Sequence, residues 1–194
     1  MKPASYDLRH EPWIPVRDAS GNIAPLGLIE LLRCAHEYQS LALSNPLDTV
    51  SLYRVLIVLS HCILGDPETI EDWIKAFDRG RFLESDVTDY FERYSDRFDI
   101  FHPDYPFMQT AGLVQQDSSG RPAPAMAGSL LAEVASGNNK TLFSHDIDDA
   151  PRALTEQEAT LALIRAQYFA LGGIAKKYSN LFPYQSNFLQ APLV

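Results

Sequence analysis

The chain has 194 residues, 46% hydrophobic and 21% charged, with a formal net charge of −9. That composition belongs to a folded chain rather than a disordered one, and the acidic balance argues against a free-standing, non-specific DNA binder, whose affinity comes mostly from Lys and Arg neutralising phosphates. Cys34 and Cys62 are too few for a disulfide framework, no apolar run behind Lys2 makes a secretory signal, and the most apolar stretch, 55–64, is too short to span a bilayer; a cytoplasmic chain with reduced thiols is expected.

The first twenty-five residues read as short extended pieces. Trp13-Ile14-Pro15-Val16 is apolar and β-branched but carries prolines, which cannot donate to a ladder, so it is expected as an edge strand or a packed arm. The turn cluster 18–22 and Ile23 beyond it predict a small hairpin. Leu28, Leu31, Leu32 and Ala35 recur at helical spacing and predict a helix over 26–38.

Asn45-Pro46 opens the next helix, a capping residue followed by proline at the first helical position. It runs over 46–64 and stops at Gly65. Being apolar nearly all round, it is expected to be the buried central helix. Asp66-Pro67 opens a third helix by the same logic, through Trp73 to Phe77, and a fourth covers 84–94. The segment 98–110 is aromatic and broken by prolines, which predicts a packed loop with a short strand near 107–110. Residues 115–125 read as a polar surface loop, 126–135 as a short helix, 141–143 as an extended piece and 144–153 as an acidic, mobile loop. Thr155-Glu156-Gln157-Glu158 is a capping box. The helix it opens carries Ala159, Leu163, Ala166 and Ala170 on one face and ends at Gly172-Gly173. The chain closes on Ala191-Pro192-Leu193-Val194, which reads as a strand cut short.

Three chemistries can be set against these elements. Zinc would need Cys34 with His36, or His61 with Cys62, but residues one or two apart do not share a helix face. Ser136, His145 and Asp146 have the residue types of a hydrolytic triad, without a nucleophile elbow. Asp146, Asp148 and Asp149 lack the glycine and distal glutamate of a calcium loop. No phosphate or dinucleotide fingerprint is present, so no cofactor is expected. Nucleic-acid contact is the third. Phe143, at the tip of a turn, has the shape to wedge against a base step. Gly172 and Gly173 permit close backbone approach, and Lys176 and Lys177 suit phosphates. On chemistry alone the structural reading prevails for both, Phe143 as core and the glycines as an ordinary helix C-cap.

Several segments together resemble one family. Glu11-Pro12-Trp13-Ile14-Pro15-Val16-Arg17 resembles the opening of the CasA proteins, the large subunits of the type I-E CRISPR complex Cascade. Arg97-Phe98-Asp99-Ile100-Phe101-His102-Pro103 with Pro106-Phe107-Met108-Gln109-Thr110 resembles their central signature. The run from Ser136 to Phe143 resembles the lead into their DNA-sensing loop. Order and spacing fit along the whole chain.

The resemblance implies an α+β fold, a mainly helical N-terminal region with short strands. Residues 1–194 are then part of the N-terminal domain of the large subunit, truncated, with the family's C-terminal helical bundle absent. It implies a non-catalytic subunit that recognises the protospacer-adjacent motif in double-stranded target DNA, helps open the duplex and helps recruit the CRISPR helicase–nuclease. A division in which protein reads a short motif and guide RNA reads sequence accommodates the acidic charge. Implied partners are the other Cascade subunits, the 5′ region of the crRNA, the target duplex and the helicase–nuclease, with no membrane. Implied DNA-binding residues are Phe143 at the mouth of the sensing loop, His145, Gly172 and Gly173, and Lys176 and Lys177 after them. His145 stands where a family member has asparagine, and imidazole also donates a hydrogen bond. A lysine finger and a glutamine wedge of the family fall beyond Val194. The rival reading is a structural adaptor that docks on the complex and senses no DNA.

Overall fold

The computed structural model describes residues 4–65, 67–112, 119, 121, 130, 131 and 153–169. The chain divides into two compact units, Met1–Ala111 and Gly112–Val194. The architecture is α+β, as expected.

The first unit is built on a three-stranded antiparallel sheet in the order β2-β1-β3. β1 is Ile14–Asp18, β2 Ile23–Leu26 and β3 Tyr38–Leu41. The predicted hairpin forms because Asp18 organises its turn. Its carboxylate accepts from the amides of Ser20 (2.8 Å) and Asn22 (2.9 Å) and from the Asn22 side chain (3.0 Å). The expected edge strand, however, is the central one. Pro15 lies opposite Pro25 in the β1–β2 register. Asp18 and Asn22 share a ladder bond (3.0 Å), so by alternation 15 and 25 form a pair that exchanges no hydrogen bonds across β1–β2. The Pro15 carbonyl turns to the other side and accepts from Ala42 at 2.8 Å. A central proline here costs one donor, not a broken ladder.

The predicted helix over 26–38 is a correction too. The helical spacing holds only for α1, Leu28–Arg33; a 3₁₀ turn at Ala35–Glu37 follows and the chain enters β3. No side chain caps α1. Instead the amides of Leu28 and Ile29 donate to the carbonyls of Leu8 (3.1 Å) and Arg9 (3.2 Å), satisfying two donors every helix start leaves open. That approach requires glycine beside it. A Cβ on Gly27 would stand 2.6 Å from the Arg9 carbonyl oxygen.

α2 is Pro46–Ile63, capped as expected by the Asn45 side chain, which accepts from Leu47 (2.9 Å), and followed by Gly65 at φ 75°. Its length and composition also fit a membrane span, but one face is occupied by protein: Ser51, Leu52, Val55, Leu59 and Ile63 are buried. The expectation of burial all round fails, because Val50, Tyr53, Ile57 and Val58 are exposed. α3 is Ile70–Arg79. It opens at Thr69, not at 66–67: the Thr69 hydroxyl accepts from the Asp72 amide (3.2 Å) and donates to the Asp72 carboxylate (2.7 Å). α4, Glu84–Arg93, buries Val87 and Phe91 and packs on α1 and α2.

The core of this unit joins Trp13, Ile14, Val16, Leu28, Leu52, Val87 and Phe91, none more than 1% exposed. Phe91, Phe98 and Phe107 continue it as a ring series with centroids 4.9 Å and 5.9 Å apart. The segment after α4 is a packed loop, as its prolines predict, but the short strand expected near 107–110 does not form; the backbone there is turns, with Met108 at φ 52°.

In the second unit α5 is Glu156–Phe169. The capping box is present: Glu158 accepts from the Thr155 amide (2.9 Å), and the Thr155 hydroxyl accepts from the Glu158 amide (3.2 Å). The face carrying Ala159, Leu163 and Ala166 is half-buried, whereas Thr160, Ala162, Ile164 and Arg165 are buried. The Thr160 hydroxyl is accommodated by donating to the Glu156 carbonyl (2.7 Å). The expected loop 115–125, helix 126–135, extended piece 141–143, loop 144–153 and the helix stop at Gly172-Gly173 lie almost wholly outside the described residues.

Candidate functional site

The residues that the resemblance assigns to DNA, Phe143, His145, Gly172, Gly173, Lys176 and Lys177, lie outside the described residues, as do the triad types Ser136, His145 and Asp146. What the described residues show is how the segments that carry the resemblance are built.

Trp13 is fully buried, and its indole Nε1 donates to the Leu8 carbonyl at 2.9 Å. Leu8 in turn donates its amide to the Phe98 carbonyl (2.9 Å). The opening segment and the central segment are therefore joined directly. Asp99 is the knot between them. Its carboxylate accepts from the amides of Tyr6 (3.0 Å) and Phe101 (2.8 Å) and from the Ser5 hydroxyl. Its carbonyl accepts from Phe107 (3.0 Å), and Asp7 and Asp99 form an isolated antiparallel bridge. Burial works against ionisation of this carboxyl, but the hydrogen bonds from Ser5, Tyr6 and Phe101 outweigh it and hold the group below the usual carboxylate range.

Gln109 closes the loop, its side-chain amide donating to the carbonyls of Ile100 (3.0 Å) and Phe107 (3.3 Å). His102 Nδ1 accepts from the amides of Asp104 (3.2 Å) and Tyr105 (3.0 Å). The Arg97 guanidinium lies 3.7 Å from the centre of the Tyr105 ring, a cation–π contact. Asp99, Gln109 and His102 are thus spent on holding backbone, a role for architecture rather than for reaction. The sequence gives no sign of the latch at Ser5, Tyr6 and Leu8, because its partners, Asp99 and Phe98, lie ninety or more positions away.

A cleft of about 600 Å³ opens beside α1 and α4, lined by Arg9, His10, Glu30, Arg33, Phe91 and Glu92 among others. Both arginines are engaged. Arg9 forks onto Asp7 (2.7 Å to Oδ2) and donates to the Phe91 carbonyl (3.2 Å). Arg33 donates to the Thr88 hydroxyl (2.7 Å). With charges of both signs on its walls, the cleft is not a phosphate cradle.

The zinc candidates are separated. Cys34 caps α1, while His36 sits in the 3₁₀ turn and not on the same helix as expected. His61 meets Trp73 edge-on at 4.8 Å. Burial, and then the neighbouring Cys62, push the Tyr90 hydroxyl up to about 12. Among the described residues no three His, Cys, Asp or Glu side chains converge on a metal position.

Three comparisons bear on this architecture. The chain is 36% identical over 173 residues to the CRISPR-associated protein CasA/Cse1 of Thermus thermophilus, covering 89% of this chain and 33% of that protein. The crystal structure of CRISPR-associated protein Cse1 from Acidimicrobium ferrooxidans matches with a TM-score of 0.73 at 27% identity, over 88% of this chain and 30% of that one. A chain of a CRISPR RNA-guided surveillance complex, pre-nicking, matches with a TM-score of 0.74 at 26% identity, over 88% and 35% of the two chains. The chain thus spans about a third of the length of the relatives it matches. The family model for CRISPR-associated protein Cse1 matches residues 7–193. From the buried Trp13 opening to the Asp99 knot and through both units, this chain belongs to the Cse1 (CasA) family.

Proposed function

We propose that this chain is part of the N-terminal domain of a non-catalytic large subunit in an RNA-guided surveillance complex of the cytoplasm. In that complex it recognises the protospacer-adjacent motif in double-stranded target DNA, helps open the duplex and helps recruit the helicase–nuclease. Its partners are the other Cascade subunits, the 5′ region of the guide RNA, the target duplex and that nuclease. The observation that carries the reading is the family match over residues 7–193. The likeness to a chain of a CRISPR RNA-guided surveillance complex supports the setting.

Within this reading Phe143 wedges against the motif from the minor groove, with His145 donating a hydrogen bond beside it. Gly172 and Gly173 let the backbone approach, and Lys176 and Lys177 meet phosphates. The net charge of −9 requires partners to supply most of the electrostatic affinity. The test is target binding by the reconstituted complex with the complete subunit, on duplexes with the correct and a scrambled motif, at fixed salt. Phe143→Ala is expected to erase the preference for the correct motif while assembly persists. A preference that survives intact transfers motif reading to other residues and leaves this region as a docking adaptor.

A further inference from the structure

α3 carries Ile70, Trp73, Ile74 and Phe77 at the i, i+3, i+4, i+7 spacing of a core-facing stripe. None of its residues is buried. The stripe is open to solvent: Ile70 is 74% exposed, Ile74 52% and Phe77 86%. Trp73, half-covered, is steadied by the edge-on contact with His61 of α2 at 4.8 Å. Three residues before His61, and so on the same helix face, Val58 is 58% exposed. The exposed apolar surface therefore runs from α2 across to α3.

Thr69 caps this helix and Gly80 ends it in the left-handed region at φ 65°, so both ends are specified although none of its residues is buried. An amphipathic helix of ten residues is marginal unless its apolar face is packed. Its basic residues are engaged within the chain, Lys75 with Asp72 (3.2 Å) and Arg79 with Asp86 (4.0 Å). Glu71 and Asp78 leave the rim acidic. A surface of this kind calls for an apolar partner bordered by Lys or Arg.

The family relatives are about three times as long as this chain, which covers 33% of the Thermus protein. We infer that the α2–α3 face is an interdomain seat, covered in the full-length family polypeptide by an apolar, basic-rimmed surface from the two thirds outside the matched region. The inference rests on family membership and not on the DNA reading, so each can fail without the other.

The test is amide hydrogen exchange over residues 70–77 in two proteins. One is the 194-residue chain; the other is the Thermus relative with its matched third replaced by this chain. Exchange is expected to slow at least about tenfold in the chimera. Phe77→Asp should abolish that slowing while α4 amides keep their protection, which shows the variant folded. Equal exchange in both proteins overturns the inference. Protection of the isolated chain that grows with its concentration assigns the face to a second copy, and protection only on phosphatidylglycerol vesicles assigns it to lipid; either also overturns it. The same readout on the intact Thermus relative, at the positions aligned with 70–77, decides the matter if the chimera does not fold.

Discussion

The Asp99 carboxylate accepts a hydrogen bond from the backbone amide of Tyr6 at 3.0 Å, tying the start of the chain to the loop that follows α4. Replacing Asp99 with Ala removes this bond together with those from Ser5 and Phe101. Because the site is partly solvated, the expected loss is about 2 kcal/mol rather than the sum of three charged bonds. Urea denaturation of the Asp99→Ala chain measures it.

The same carboxylate carries a pH dependence of definite sign. Its folded pKa lies below the ordinary value, so its contribution is complete above the unfolded value of about 3.9 and fades as pH falls through the folded one. The stability gap between wild type and Asp99→Ala should therefore narrow on acidification below about pH 4. A gap that stays constant as the pH falls well below that value would show that the charge of Asp99 contributes nothing.

Gly27→Ala should destabilise by about 1–3 kcal/mol, although its backbone angles (φ −81°, ψ 166°) suit alanine. The cause is the carbonyl of Arg9, 2.6 Å from the added Cβ, with the His10 carbonyl carbon at 2.9 Å. Both obstacles are backbone, so relief means separating α1 from residues 8–10. Faster amide exchange at Leu28 and Ile29, beyond any change in global stability, is the specific readout.

Trp13→Phe should cost roughly 2 kcal/mol and Trp13→Ala about 3–5 kcal/mol. The phenylalanine variant keeps much of the apolar contact and loses the indole bond to Leu8. The Leu8 carbonyl retains the bond from Leu28 (3.1 Å), so it is not left unsatisfied. Thermal melts of the two variants separate packing from hydrogen bonding.

Thr155→Ala removes one half of the box at the start of α5. The expected effect is about 1 kcal/mol, confined to the first turn. It should be visible as faster exchange of the amides of residues 157–159 with the remainder of α5 unchanged.

What the sequence made legible was local. The Asn45 cap with Pro46, the turn around Asp18 and the Thr155–Glu158 box each act within four residues, and each stands where it was read. Long-range pairing was hidden. Nothing in Tyr38–Leu41 announces a strand until β1 is beside it, and that strand turns β1 from an edge into the centre. Burial of α2 was overestimated for a similar reason: an apolar sequence states that a face wants cover, not that the cover is present. The helix opened at 69 rather than 66–67 because a threonine that both donates and accepts outcompetes the Asp-Pro pair. The residues proposed to meet DNA came from resemblance, and their side-chain chemistry alone did not distinguish a wedge from a core phenylalanine.

The facing prolines of the sheet give the ladder a built-in key. In the observed register Pro25 sits in a pair that exchanges no bonds with β1, so its missing donor is not missed there. A slip of one residue would swap the two kinds of pair and bring that blank position to where β1 expects an amide, while turning every core side chain to the wrong face. Residues usually treated as strand breakers thus act here as a lock that opens in one alignment, and a chain with Pro15 and Pro25 both replaced would have more ways to pair, not a better sheet.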